Sequence, residues 1–149
     1  MKKSLVDDRA VDTEGIEELD LTQEAVMDEY MRVNKEAFGI PDSRTDMLYR
    51  VLYRGARVFG IFRDGMLRSA VTIWRVSDTC LATENVFTAR DDRHQGLATR
   101  LLSYVTDIAE EKGFREAVLN VYEEDTEAVM LYEKLGYRQE YVLLEMHGR

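Results

Sequence analysis

The sequence predicts a mixed α/β fold, a central twisted sheet of mixed strand direction flanked by about four helices, and three stretches carry that prediction. Arg57 to Phe62 and Met66 to Val76 are β-rich runs on either side of Asp64-Gly65, a pair suited to a tight antiparallel hairpin. Cys80 to Thr88 has β-favouring, half-buried character through Leu81, Thr83, Val86, Phe87 and Thr88, and Leu97, Leu101, Tyr104, Val105 and Ile108 follow at helical spacing. That helix runs to Lys112-Gly113, after which Glu116 to Val121 alternates as a buried strand. Strand, crossover helix and strand make a parallel pair.

The remaining elements are read in chain order. Residues 1 to 16 are polar and acidic without a period, so little apolar surface offsets the entropy of ordering them, and partial disorder is expected. Leu19 and Leu21 alternate with charges in Glu17 to Thr22, a short first strand. Gln23 to Phe38 reads as a helix with Ala25, Val26, Tyr30, Val33 and Ala37 on one stripe, stopped by Gly39-Ile40-Pro41. Asp42 or Ser43 caps a second helix that carries Met47, Leu48, Val51 and Leu52 inward. Ser77-Asp78-Thr79 turns the chain into the central strand. Asp125 is a good N-cap for a last helix bearing Ala128, Val129, Tyr132 and Leu135 and closed by Gly136. Tyr137 to Arg149 leaves room for one long or two short final strands.

Composition bounds the function. The 149 residues, 45% hydrophobic and 33% charged, suit a single domain over residues 1–149. One cysteine, Cys80, allows no internal disulfide and fits a reducing cytoplasm; it reads as a buried strand residue. Acidic residues follow Met1-Lys2-Lys3 before any apolar run develops, so neither export nor a membrane span is expected. A net charge of -9 argues against extended contact with nucleic acid or anionic lipid and favours cationic acceptors.

The joint between the central strand and its helix concentrates the chemistry. Arg93-His94-Gln95-Gly96-Leu97-Ala98 places cationic and polar donors and then small residues where a helix exposes its first unpaired N–H groups. Gly96 lets the backbone approach a ligand and Arg93 adds a charge-assisted contact, which together describe a phosphate site. Gly60 and Gly65 match P-loop glycine spacing, but Met66 stands where that motif needs its lysine, so the P-loop is rejected.

These residues resemble motif A of the GNAT superfamily of N-acetyltransferases, Arg/Gln-x-x-Gly-x-Gly/Ala after a strand, with Arg90 where the family often has proline. Ala128-Val129-Met130-Leu131-Tyr132-Glu133-Lys134-Leu135-Gly136-Tyr137 is similar to a second element of the same family, and the two matches cover the second half of the chain. The resemblance implies acetyl-CoA as cosubstrate, with its pyrophosphate on His94, Gln95, Gly96, Leu97, Ala98 and Thr99 beside Arg93. Its pantetheine arm would pair with the strand backbone at Val86, Phe87 and Thr88. It further implies an amine acceptor, a small molecule or a protein amino group, attacked directly in a ternary complex. The first two helices would wall the acceptor cleft. No metal is expected, because neither His94 nor His147 has partners at ligand spacing.

An amine attacks only when neutral, yet an alkyl ammonium titrates near pKa ~10, so a base must take its proton. Glu84 is the candidate, acting directly or through water, and its period-two phase groups it with Ala82 and Val86. The alternative for Glu84 is a structural ion pair with an arginine or lysine; Glu123 and Glu124 are weaker candidates for the base. By resemblance Tyr132 protonates or stabilises the leaving sulfur, the alternative being a core aromatic. Asn120, at a strand end, either lies near the cofactor or forms a turn. Asp125 stands where many members have an asparagine that contacts CoA, and a carboxylate lacks the amide donors. The short C-terminal segment implies an open acceptor cleft or one completed by a second copy in a homodimer. A non-catalytic acyl-CoA-binding regulator is the alternative function. A tRNA-acetylating role would want a basic face, and Val11 to Tyr30 contains no lysine or arginine.

Overall fold

The computed structural model describes residues 2–4, 14–38, 43–93, 95–119, 129–130 and 132–133. Its elements are β1 (Lys2–Ser4), β2 (Ile16–Leu19), α1 (Glu24–Phe38), α2 (Arg44–Tyr53), β3 (Arg57–Arg63), β4 (Met66–Arg75), β5 (Cys80–Thr88), α3 (Leu97–Glu111) and β6 (Glu116–Val118). The six strands form one sheet in the order β1-β6-β5-β4-β3-β2. The β5–β6 pair is parallel, as its helical crossover requires, and the other neighbours are antiparallel. Among the described residues no helix is long and apolar enough to cross a membrane.

Local chemistry sets these boundaries. Asp64 and Gly65 take φ of 55° and 75° between the paired residues Arg63 and Met66, which makes the two-residue hairpin turn. Ser43 caps α2 by accepting the Asp46 amide, and Gly113 leaves α3 at φ 88°. The strand expected over Glu17 to Thr22 is β2, which stops at Leu19 because Asp20 turns the chain: its carboxylate accepts the Thr22 amide and its carbonyl accepts the Gln23 amide. Leu21 is nevertheless buried. Lys2–Ser4 pairs antiparallel with β6 as an edge strand within a stretch whose composition gave no sign of one.

Two apolar layers cover the sheet. On one face Leu97, Leu101, Leu102, Val105 and Ala109 of α3 pack on Phe59, Ile61, Val71 and Ile73. On the other, Met27, Tyr30 and Val33 of α1 and Met47 of α2 pack on Val58, Leu67, Ala70 and Phe87. Each fully buried leucine, isoleucine or methionine contributes about 1.5–3 kcal/mol relative to exposure. Leu52 does not point inward as the pattern implied; it is 58% exposed. The buried stripe of α2 centres on Met47 with Leu48 and Val51, and Leu52 lies about 140° round the helix from Met47.

Glu29 fastens α1 to the sheet. Its carboxylate accepts both Arg32 guanidinium N–H groups at 2.7 and 2.8 Å and the Leu67 amide of β4 at 2.8 Å. The Arg32 hydrogen bond, reinforced by the Leu67 amide, holds this carboxyl below its ordinary value of 4.5. A depressed folded pKa gives stability that is fully present above 4.5 and lost as pH falls through the lowered value. Glu29→Gln is expected to cost about 1–3 kcal/mol at pH 7 and to lose less stability than the parent on acidification. Parallel stability–pH curves for the two proteins would contradict that role.

Candidate functional site

The central strand changes phase where the site begins. Glu84 pairs with Thr72 and Phe87 with Ala70, so Val71 alone faces Asn85 and Val86, a β-bulge in β5. Before the bulge Glu84 faces α2; beyond it Phe87 packs in the α1–α2 layer and Val86 against the α3 layer. Val86 therefore does not share a face with Glu84, contrary to simple alternation, because the extra residue inverts the period-two count. Among the described residues the pairing of β5 with β6 covers Cys80, Leu81 and Ala82, and from Glu84 to Thr88 the described strand partner of β5 is β4.

The strand delivers the chain into a braced loop. Thr88 and Ser69 share a hydroxyl–hydroxyl hydrogen bond of 3.0 Å, and the Ala89 amide donates to the Arg68 carbonyl. Arg68 pairs with the buried Asp92 at 3.2 Å. The Arg93 guanidinium donates to the Thr88 carbonyl at 3.3 Å and to the Ala37 carbonyl at 3.1 Å, clamping the loop to the end of α1. Arg63 donates to the Gln95 side chain at 2.6 Å, and Arg100 donates to the Glu14 carbonyl.

That bracing presents the start of α3. Gly96 is its N-cap at φ 77° and ψ 14°, in the left-handed region that glycine enters without steric cost. It brings no side-chain cap, the first turn holds no acid, and nothing lies within 4 Å of where a Cβ on Gly96 would sit. The amides of Leu97, Ala98 and Thr99 therefore begin a helix with neither a side-chain cap nor an acid in its first turn, an arrangement suited to an anion. The Leu97 side chain is buried in the α3 core, so its contribution there is its backbone.

On the α2 side lies a cleft of about 300 Å³ lined by Asp46, Tyr49, Arg50, Arg54, Ala56, Trp74 and Glu84. Arg50 donates to Glu84 Oε1 at 3.2 Å, and both side chains are partly exposed. Asp46 and Arg50 of α2 and Arg54 at its C-cap recur every four residues, the periodic signal by which the sequence could have revealed these lining residues. Tyr132 lies elsewhere, buried in the α3 layer on the opposite face of the sheet from the cleft. The structure therefore does not place Glu84 and Tyr132 in one cluster. His94, Asn120, Asp125, Glu123, Glu124 and the expected final strands fall outside the described residues. Among the described residues no three of His, Cys, Asp and Glu gather as a metal site.

The family model described as Acetyltransferase (GNAT) family matches residues 23–137. No protein of curated function matches the chain. Among solved structures, the ribosomal-protein-S18-alanine N-acetyltransferase of Escherichia coli superposes with a TM-score of 0.74 at 22% identity, over 85% of this chain and 78% of that one. A GNAT-family protein from Novosphingobium aromaticivorans gives 0.74 at 23% identity; the match spans 92% of this chain and 57% of that longer one. An aminoglycoside acetyltransferase from an uncultured soil metagenomic sample gives 0.70 at 19% identity, over 90% and 94% of the two chains. At such identities these likenesses show the shared fold alone.

Proposed function

Because the chain belongs to the GNAT acetyltransferase family, we propose that it is a single-domain N-acetyltransferase that uses acetyl-CoA to acetylate a primary amine bound beside Glu84. The observation that carries this reading is that β5 holds both halves of such a site. It presents Glu84 to a cleft before its bulge and runs beyond it to the Gly96-capped start of α3. Bound acetyl-CoA supplies a thioester carbonyl open to attack and a thiol leaving group.

The residues fit that cosubstrate. The uncapped first turn of α3, with open space at Gly96, suits a pyrophosphate held by the amides from Gln95 to Thr99. Arg93, committed to two carbonyls, acts mainly by bracing the loop. The backbone of Val86, Phe87 and Thr88, which leads into the joint, suits an extended arm that pairs with it in sheet fashion. Glu84 takes the ammonium proton, directly or through a water, leaving a neutral nitrogen to attack the acetyl carbon. As the family resemblance implies, Tyr132 supplies a proton at the departing sulfur and Asn120 lies beside the cosubstrate, while Asp125 stands at the position of a CoA-contacting asparagine without its amide donors.

Direct attack is checked by intact-mass measurement. Protein incubated with acetyl-CoA alone is expected to gain no acetyl group, whereas adding an amine yields free thiol and acetylated amine in equal amounts. An acetylated protein that passes its acetyl group to the amine would overturn the ternary mechanism.

A further inference from the structure

Resting on the acetyltransferase reading, we infer that the acceptor is a free α-amino acid with an apolar or aromatic side chain, its carboxylate held by Arg50 and Arg54. The cleft carries the complement of such a molecule. Glu84 and Arg50 stand 3.2 Å apart, one negative and one positive group side by side in its lining. An α-amino acid bears an ammonium and a carboxylate on one carbon, so it can exchange partners with that pair: ammonium to Glu84, carboxylate to Arg50. The exchange leaves each charge compensated in the bound state, and a guanidinium reads a carboxylate through two parallel N–H groups.

Arg54 extends the same contact. It lies one helical turn beyond Arg50 on the face that lines the cleft, and its guanidinium rests 5.8 Å from the centre of the Tyr49 ring. Among the described residues it makes no ion pair with a carboxylate. Tyr49, Trp74 and Ala56 form the apolar wall against which the acceptor's side chain would lie. A volume of about 300 Å³ is at the small end of ligand clefts and suits a molecule of amino-acid size.

The same charges select against other amines. Two guanidiniums match two carboxylates along the lining, so a polycation meets like charge as often as opposite charge, which lowers its affinity relative to a zwitterion. A protein N-terminus lacks the α-carboxylate altogether. The overall negative charge of the chain is thus not repeated inside the cleft.

The test compares phenylalanine with phenylalaninamide, spermidine and kanamycin by thiol release, in the parent and in Arg54→Gln and Arg50→Gln. The amide has the more readily deprotonated amine, so intrinsic reactivity runs against the expected order. Phenylalanine is expected to exceed its amide at least tenfold in kcat/KM, with the polycations lowest. Arg54→Gln should raise the KM for phenylalanine about tenfold, leave that for the amide unchanged, and retain the acetyl-CoA-induced rise in melting temperature. Transfer to the amide or to a polycation at equal or higher efficiency would overturn the inference while leaving the acetyltransferase reading intact. Absence of transfer to all four with acetyl-CoA bound would also overturn it, and absence of acetyl-CoA binding would remove the reading on which it rests.

Discussion

Glu84→Gln is expected to lower kcat at pH 7 by about 10²- to 10⁴-fold, the usual contribution of a positioned general base. Glutamine keeps the shape and still accepts a hydrogen bond from Arg50, but it cannot take a proton. Acetyl-CoA binding should be unchanged, because Glu84 faces the α2 cleft and the loop at Gly96 is braced by other residues. The variant's rate should keep climbing at alkaline pH as the acceptor ammonium, with a pKa near ~10 for an alkyl amine, loses its own proton. Unchanged turnover across the pH range would reduce Glu84 to a structural partner of Arg50.

Leu101→Ala is expected to cost about 3–5 kcal/mol, the largest stability effect of any substitution considered. Leu101 is 0% exposed at the centre of the α3 layer, where truncation leaves a cavity between helix and sheet. For a chain of this length each kcal/mol moves the melting temperature by about 2–4 °C, so a fall of roughly 6–20 °C should appear in thermal unfolding. A loss below about 1 kcal/mol would mean that α3 is not seated on the sheet by this residue.

Much of this architecture was legible because local chemistry agreed with tertiary need. Asp64-Gly65 can satisfy two positive φ angles in succession, so the hairpin was readable from two letters, and it formed between Arg63 and Met66. Ser43 and Gly113 marked helix ends by the same directness. Cys80–Thr88 and the start of α3 emerged from a change of period from two to 3.6.

What escaped depends on partners distant in sequence. The bulge opposite Val71 has no glycine to announce it, and it moved Val86 away from the face of Glu84. Arg50 meets Glu84 from 34 positions away, so the sequence supplied a candidate base and an alternative ion pair without joining them. In the structure the pair exists and lies in the cleft, which makes Glu84 both a paired carboxylate and the proposed base. Arg93 read as a phosphate ligand from its motif, yet its nearest acceptors are carbonyls of Thr88 and Ala37, the second of which no local pattern could indicate.

The central claim, that the β5–α3 joint binds acetyl-CoA, is tested most directly by thermal unfolding with and without acetyl-CoA, beside acetate and ATP as controls. At about a hundred times its dissociation constant a ligand adds roughly 2.7 kcal/mol. For this chain that corresponds to a rise of about 5–11 °C. A rise of that size with acetyl-CoA and with neither control is the predicted result, and no rise at saturating acetyl-CoA would contradict the account.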